Sequence, residues 1–142
     1  MARQYAGQVV TLDDFARPGT PTWEHERFID EVFLPLREGR EASYQIWPHD
    51  AASPVGAGVV ASGGLVIVEG VSALALAVVE RVGHWWDLSL WLDVSEEERR
   101  RRIAARDGDG LAERWADEWW PSERKYFRDE QPLRRADFIV HG

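Results

Sequence analysis

The run Leu65-Val66-Ile67-Val68, closed by Glu69-Gly70, constrains the fold more than any other segment. A strand with one wet face alternates apolar and polar residues. A strand apolar at every position needs cover on both faces, the habit of parallel sheets. Gly63-Gly64 reads as the turn that precedes it. Gln8-Val9-Val10-Thr11-Leu12 is a second, β-branched run and ends in Asp13-Asp14-Phe15. Leu88 to Val94 reads as another strand, and Asp137 to Val140 as a short final one.

Helical patterns fall between these strands. From about Glu26 to Arg37, Phe28, Val32 and Leu36 recur at i, i+4 and i+8, with Ile29 and Phe33 beside them. Pro35 predicts a kink or an early end there. Residues 42–62 look irregular, with extended pieces around Ser43–Trp47 and Val59–Ala61. Ser72 can cap a short helix to about Arg81, and Ser95 with Glu98 forms a capping-box pattern for a helix to about Arg106. Asp107-Gly108-Asp109-Gly110 is a turn, and Leu111 to Glu130 a helix interrupted or bent at Pro121. The eight tryptophans read mainly as core and helix-packing residues. Strands thus alternate with helices, which predicts an α/β fold.

The 142 residues suit one domain of roughly 100–200 residues, with no repeat, linker or low-complexity tract. A net charge of -8 argues against a nucleic-acid polymer as partner. The absence of cysteine excludes disulfides, thiolate metal sites and thiol catalysis. The longest apolar run, Ala73 to Val79, is far short of the ~20 residues that span a bilayer, and the first five residues lack the apolar stretch of a signal peptide. A cytoplasmic domain with no membrane partner is the expectation.

Acidic residues stand at the ends of three strands: Asp13, Glu69 and Asp93. In open α/β sheets, ligands bind outside the carboxyl ends of the strands. Asp13 and Glu69 therefore read as a general base or metal ligands, and Asp93 as a cap or turn residue. Arg99, Arg102 and Arg106 lie at i, i+3 and i+7 and share a helix face. Guanidinium groups suit phosphate oxygens. Arg100 and Arg101 read instead as a solvated face pairing with Glu96, Glu97 and Glu98. His25 and His84 receive no role.

Several of these segments, in order, resemble the uridine kinase family of P-loop nucleoside kinases, with the related phosphoribulokinase and pantothenate kinase branch. The resemblance rests on Leu12-Asp13-Asp14-Phe15, Trp23-Glu24-His25, Phe28-Ile29-Asp30, Leu36-Arg37-Glu38-Gly39, Tyr44 with His49, Val68-Glu69-Gly70, Arg99, Arg102, Arg106 with Asp107, and Ala136-Asp137-Phe138-Ile139-Val140. It implies a P-loop NTPase-type parallel sheet flanked by helices, with 107–131 as a lid region. It implies ATP and Mg²⁺ as cofactors and a small-molecule substrate, a nucleoside first. By resemblance Asp13 is the base, Glu69 assists the metal, Arg102 and Arg106 contact phosphates or the lid, and Trp23, Glu24, Tyr44, His49 and Arg99 bind substrate. The family's aromatic-Asp pair is Trp23-Glu24 here, one methylene longer in its acid.

One departure dominates. The family's G-x-x-x-x-G-K-[ST] loop occurs nowhere in the sequence, and its single lysine, Lys125, is followed by Tyr126. The resemblance places the first strand centrally, between the strands ending at Glu69 and Asp93. Its loss removes that strand, the phosphate loop and the first helix, and leaves two apolar edges facing a gap. The expectation is a truncated piece of a longer kinase, inactive in this form. The alternative is a degenerate homologue that binds a nucleotide or a partner without catalysis, its edges covered by self-association as a homo-oligomer or by another chain. Pantothenate, a sugar phosphate or another small alcohol could replace the nucleoside as acceptor.

Overall fold

In a computed structural model, residues 7–15, 24–47, 51–108, 117 and 119–142 are described. The chain is mixed α/β, with three two-stranded sheets among the described residues. It divides into two compact units, Met1–Ala73 with Ala77–His84, and Leu74–Leu76 with Trp85–Gly142.

In the first unit, β1 (Gln8–Thr11) pairs in parallel with β4 (Val66–Glu69), in the register Val9↔Ile67 and Thr11↔Glu69. The parallel pairing expected from the apolar run is therefore present. Among the described residues, cover on both faces is not. Val10 is fully buried, whereas Val9 and Ile67 on the opposite face are 58% and 45% exposed. After β1 the chain tightens into a 3-10 turn, Leu12–Phe15. Three residues per turn put Leu12 and Phe15 on one side, and both are buried, while Asp13 is exposed and Asp14 half-buried.

The next helical stretch is α1 (His25–Phe28), a π turn (Ile29–Phe33) and α2 (Leu34–Arg37). The expected break at Pro35 takes another form: helical structure continues to Arg37, and the wide turn comes just before the proline. Proline has no N–H to bond the carbonyl four residues back and its ring crowds that carbonyl. A π turn accommodates both problems without ending the helix. Phe28, Ile29, Val32 and Phe33 face the core. The segment 42–62, read as largely irregular, contains an antiparallel hairpin of β2 (Ala42–Ile46) and β3 (Gly56–Val60), with Tyr44 opposite Gly58. Ala42, Tyr44 and Val60 are its buried face.

The helix expected from a Ser72 cap starts later, as α3 (Leu76–Val82). Ser72 is wholly buried and hydrogen-bonded to His25 Nε2 at 3.0 Å, so its hydroxyl is spent elsewhere. The Leu76 N–H donates instead to Glu130 Oε2, 2.6 Å away.

In the second unit, β5 (Leu90–Asp93) pairs in parallel with β6 (Phe138–His141), Leu90 opposite Phe138 and Asp93 opposite His141. Asp137 Oδ2 accepts from both the backbone N–H and the hydroxyl of Ser89, each at 2.7 Å, which pins the start of the pair. Leu90, Leu92, Phe138 and Val140 share one face by register and are 53%, 69%, 58% and 44% exposed. Ser95 caps α4 (Glu96–Asp107) as expected, accepting from the Glu98 N–H at 3.2 Å. The expected helix up to Glu130 is α5 (Trp120–Glu130), which starts next to Pro121, the proline standing in its first turn, where a missing N–H costs no helical bond; residues 111–116 and 118 lie outside the described residues.

Trp120, Glu123 and Tyr126, at i, i+3 and i+6, form the buried stripe of α5. Glu123, 6% exposed, accepts from Arg99 of α4, and Arg100 lies over the Trp120 ring at 3.7 Å. Removing one member of such a pair strands the other charge. We expect Glu123→Gln to lower the stability of this unit by about 1–3 kcal/mol, read by urea denaturation. A midpoint equal to that of an exposed-site control such as Glu97→Gln would refute the structural role of the pair.

Candidate functional site

The parallel register carries Thr11 and Glu69 to the same level, at the carboxyl ends of β1 and β4. The 3-10 turn then projects Asp13 and Asp14 from that end, its apolar members buried beneath. Gly70 makes the junction possible. It has φ +142°, and a Cβ there would lie 2.9 Å from the Leu12 Cβ, so the Glu-Gly dipeptide is what lets β4 end against the turn.

Asp13, Asp14 and Glu69 act on one another electrostatically. The Glu69 carboxyl is pushed above the ordinary carboxylate range, by partial burial first and then by the charges of Asp13 and Asp14. Asp14 is raised as well, by burial and by Asp13, against the Tyr44 hydrogen bond, which lowers it. Tyr44 Oη donates to Asp14 Oδ2 at 3.4 Å, and the Trp47 N–H donates to the Asp14 carbonyl at 2.8 Å. Burial and the same carboxylate push the Tyr44 hydroxyl up.

The sign of the linkage follows. A carboxyl whose folded pKa is raised binds more protons folded than unfolded, in the window between its ordinary value and its raised one. Stability therefore falls as pH climbs through that window. We expect Asp14→Asn and Glu69→Gln each to stabilise the protein at neutral pH and to flatten this slope in thermal melts between pH 4 and 8. Unchanged slopes in both variants would remove the electrostatic coupling.

The candidate residues distribute as follows. Asp13, Glu24, Tyr44 and Glu69 lie in the first unit. Glu24 is half-buried, immediately before α1. Tyr44, read as a substrate contact, is 7% exposed and turned to Asp14. Trp23 and His49 lie outside the described residues, as do residues 109–116 and 118 of the segment read as a lid. Arg99, Arg102 and Arg106 are on α4 in the second unit. Arg99 is engaged by the buried Glu123, whereas Arg102 Nε bonds the surface carboxylate of Glu98 at 2.7 Å. Exposed pairs of that kind are weak and exchange readily. Arg102 can therefore be recruited by a phosphate at little cost, and Arg99 only by releasing Glu123. Glu98 is held down to about 2 by Arg101 and Arg102.

Reasoning from sequence passed over Asp14 and His25. His25 ties the start of α1 to Ser72, three residues beyond Glu69. The signal for both was adjacency to a candidate: Asp14 follows Asp13, and His25 follows Glu24. Among the described residues, no group of three or more His, Asp or Glu side chains is arranged to hold a metal ion, and none of the helices is long and apolar enough to cross a membrane. No protein-family model and no curated protein matches the chain.

Proposed function

We propose that these residues form the acceptor-side part of a uridine kinase-like, ATP-dependent phosphotransferase acting on a hydroxyl of a nucleoside or a similar small molecule. The observation that carries the reading is the β1–β4 pair, which gathers Asp13, Asp14 and Glu69 at one carboxyl end. Phosphoryl transfer asks for positioned charge more than for covalent help. Asp13, exposed beside two further carboxylates, is suited to accept the proton of an acceptor hydroxyl as that oxygen attacks the γ-phosphorus and the bond to ADP breaks.

Mg²⁺ fits the donor set. It typically takes one or two carboxylates and completes its shell with water and substrate phosphates, and the like charges that raise Glu69 are relieved by a cation. Glu69 would hold it, directly or through water, and the ion would neutralise phosphate charge. Arg102 and Arg106 would meet phosphates.

One further observation supports the family reading. The exposed apolar faces on each of the two parallel pairs fit strands that lack their cover. The ATP phosphate loop would then come from sequence outside these 142 residues. The alternative, a non-catalytic nucleotide- or partner-binding homologue, draws on the missing G-x-x-x-x-G-K-[ST].

The cheapest test reads the DNA upstream of Met1 in frame. A phosphate-loop motif within about 50 codons supports the kinase, and the extended protein should then convert ATP and a nucleoside to ADP and a nucleoside monophosphate. No motif, together with saturable quenching of tryptophan fluorescence by a nucleoside, would favour the non-catalytic reading.

A further inference from the structure

The hairpin β2–β3 holds the carboxylate-bearing turn at two points, and one of them depends on a residue with no side chain. The Trp47 N–H bonds the Asp14 carbonyl at 2.8 Å, and the Tyr44 hydroxyl reaches Asp14 Oδ2 at 3.4 Å. Packing sets the place of the Tyr44 ring. On one side it stacks on Phe15, centroids 4.9 Å apart and planes 25° from parallel. Against another side lies Gly58, its partner in the hairpin register. A Cβ at Gly58 would lie 2.6 Å from Tyr44 Oη and overlap the ring carbons. Phe15 is itself held by the Phe28 edge at 5.8 Å and by the Arg27 guanidinium at 5.3 Å.

We propose that Tyr44 is a positioning residue, clamped between Phe15 and the bare backbone of Gly58 so that its hydroxyl fixes the Asp14 carboxylate and, through the shared 3-10 turn, the orientation of Asp13. This rests on the reading of Asp13 as the base, and it assigns Tyr44 a task other than touching substrate. A 3.4 Å hydrogen bond is long for a hydroxyl and a carboxylate, so it is the clamped ring, between Phe15 and Gly58, that keeps the hydroxyl within reach of Asp14. Gly58 is required for this. Any side chain there displaces the ring from Phe15 or lifts β3 from β2.

The test uses the 142-residue chain labelled with ¹³C at the aspartate carboxyl carbons, with Asp13→Asn and Asp14→Asn to assign the two signals. In Tyr44→Phe the ring and its stack remain and only the hydroxyl is lost. The Asp14 midpoint should then move to higher pH, the Asp13 signal should shift with it, and the thermal midpoint should stay close to that of the parent. Gly58→Ala should move both signals in the same way, with loss of thermal stability. Asp13 and Asp14 signals in Tyr44→Phe that superimpose on the parent at every pH would overturn the proposal, whether or not Gly58→Ala folds. These readouts need no substrate. An extended protein that phosphorylates no nucleoside would count against the functional reading and leave them unmoved.

Discussion

Asp13→Asn, made in a form of the protein that carries a phosphate loop, is expected to lower turnover by about 10²–10⁴-fold with little change in KM for the acceptor. The size follows from what the substitution removes. Asparagine is nearly isosteric, and Leu12 and Phe15 stay buried beneath the turn. The hydrogen bonds to Asp14 are made by other atoms and persist. What goes is the ability to accept a proton, with one of the negative charges that raise Asp14 and Glu69. Binding of the acceptor should survive, since the amide oxygen can still receive a hydrogen bond. Asp14→Asn is the informative companion: in this reading it costs much less, because Asp14 is half-buried and turned toward Tyr44. Full turnover in Asp13→Asn would place the base elsewhere, and a larger loss in Asp14→Asn would exchange the two roles.

Phe28→Ala is expected to destabilise the first unit by about 3–5 kcal/mol, the largest single effect on stability anticipated here. Phe28 has no exposed surface. Its edge meets Phe15, whose ring in turn stacks on Tyr44, so the cavity opens beneath the turn that carries the carboxylates. Aromatic pairs of this kind add about 0.5–1.5 kcal/mol beyond area burial, and both contributions are lost together. Urea denaturation followed by far-UV circular dichroism measures it, with Leu34→Ala as the control, a residue 42% exposed on the same helical stretch. Equal midpoints for the two variants would mean that the Phe15–Phe28 contact is not the centre of this core.

Elements with one strong periodic signal were legible in the sequence. The apolar run at 65–68 gave a parallel strand, and Ser95 with Glu98 gave a helix start within a residue. The hairpin was harder to recognise. Gly56-Ala57-Gly58 has almost no strand propensity, and its role as a strand comes from the register with Tyr44, a contact between distant residues. Ser72 has the chemistry of a cap, but a half-buried histidine competes for its hydroxyl, and local sequence carries no trace of that competition. At the site, Asp13 and Glu69 could be paired because both end strands. The position of Tyr44 against Asp14 could not, since it depends on how the hairpin folds onto the turn. The arginines of α4 were legible as a face but not as partners, because Glu123 reaches Arg99 from another helix.

The uncovered faces, Val9 with Ile67 on one parallel pair and Leu90, Leu92, Phe138 and Val140 on the other, set conformational and colloidal behaviour against each other. At pH 7 the net charge of -8 opposes association between copies of the chain. Acid reduces that charge, which the composition brings to zero near pH 5.0, and protonation of the raised carboxyls of Asp14 and Glu69 relieves repulsion within each molecule. The same protons remove repulsion between molecules, and the apolar faces do not titrate. Acidification therefore steadies this part of the fold as it draws the folded chains into association.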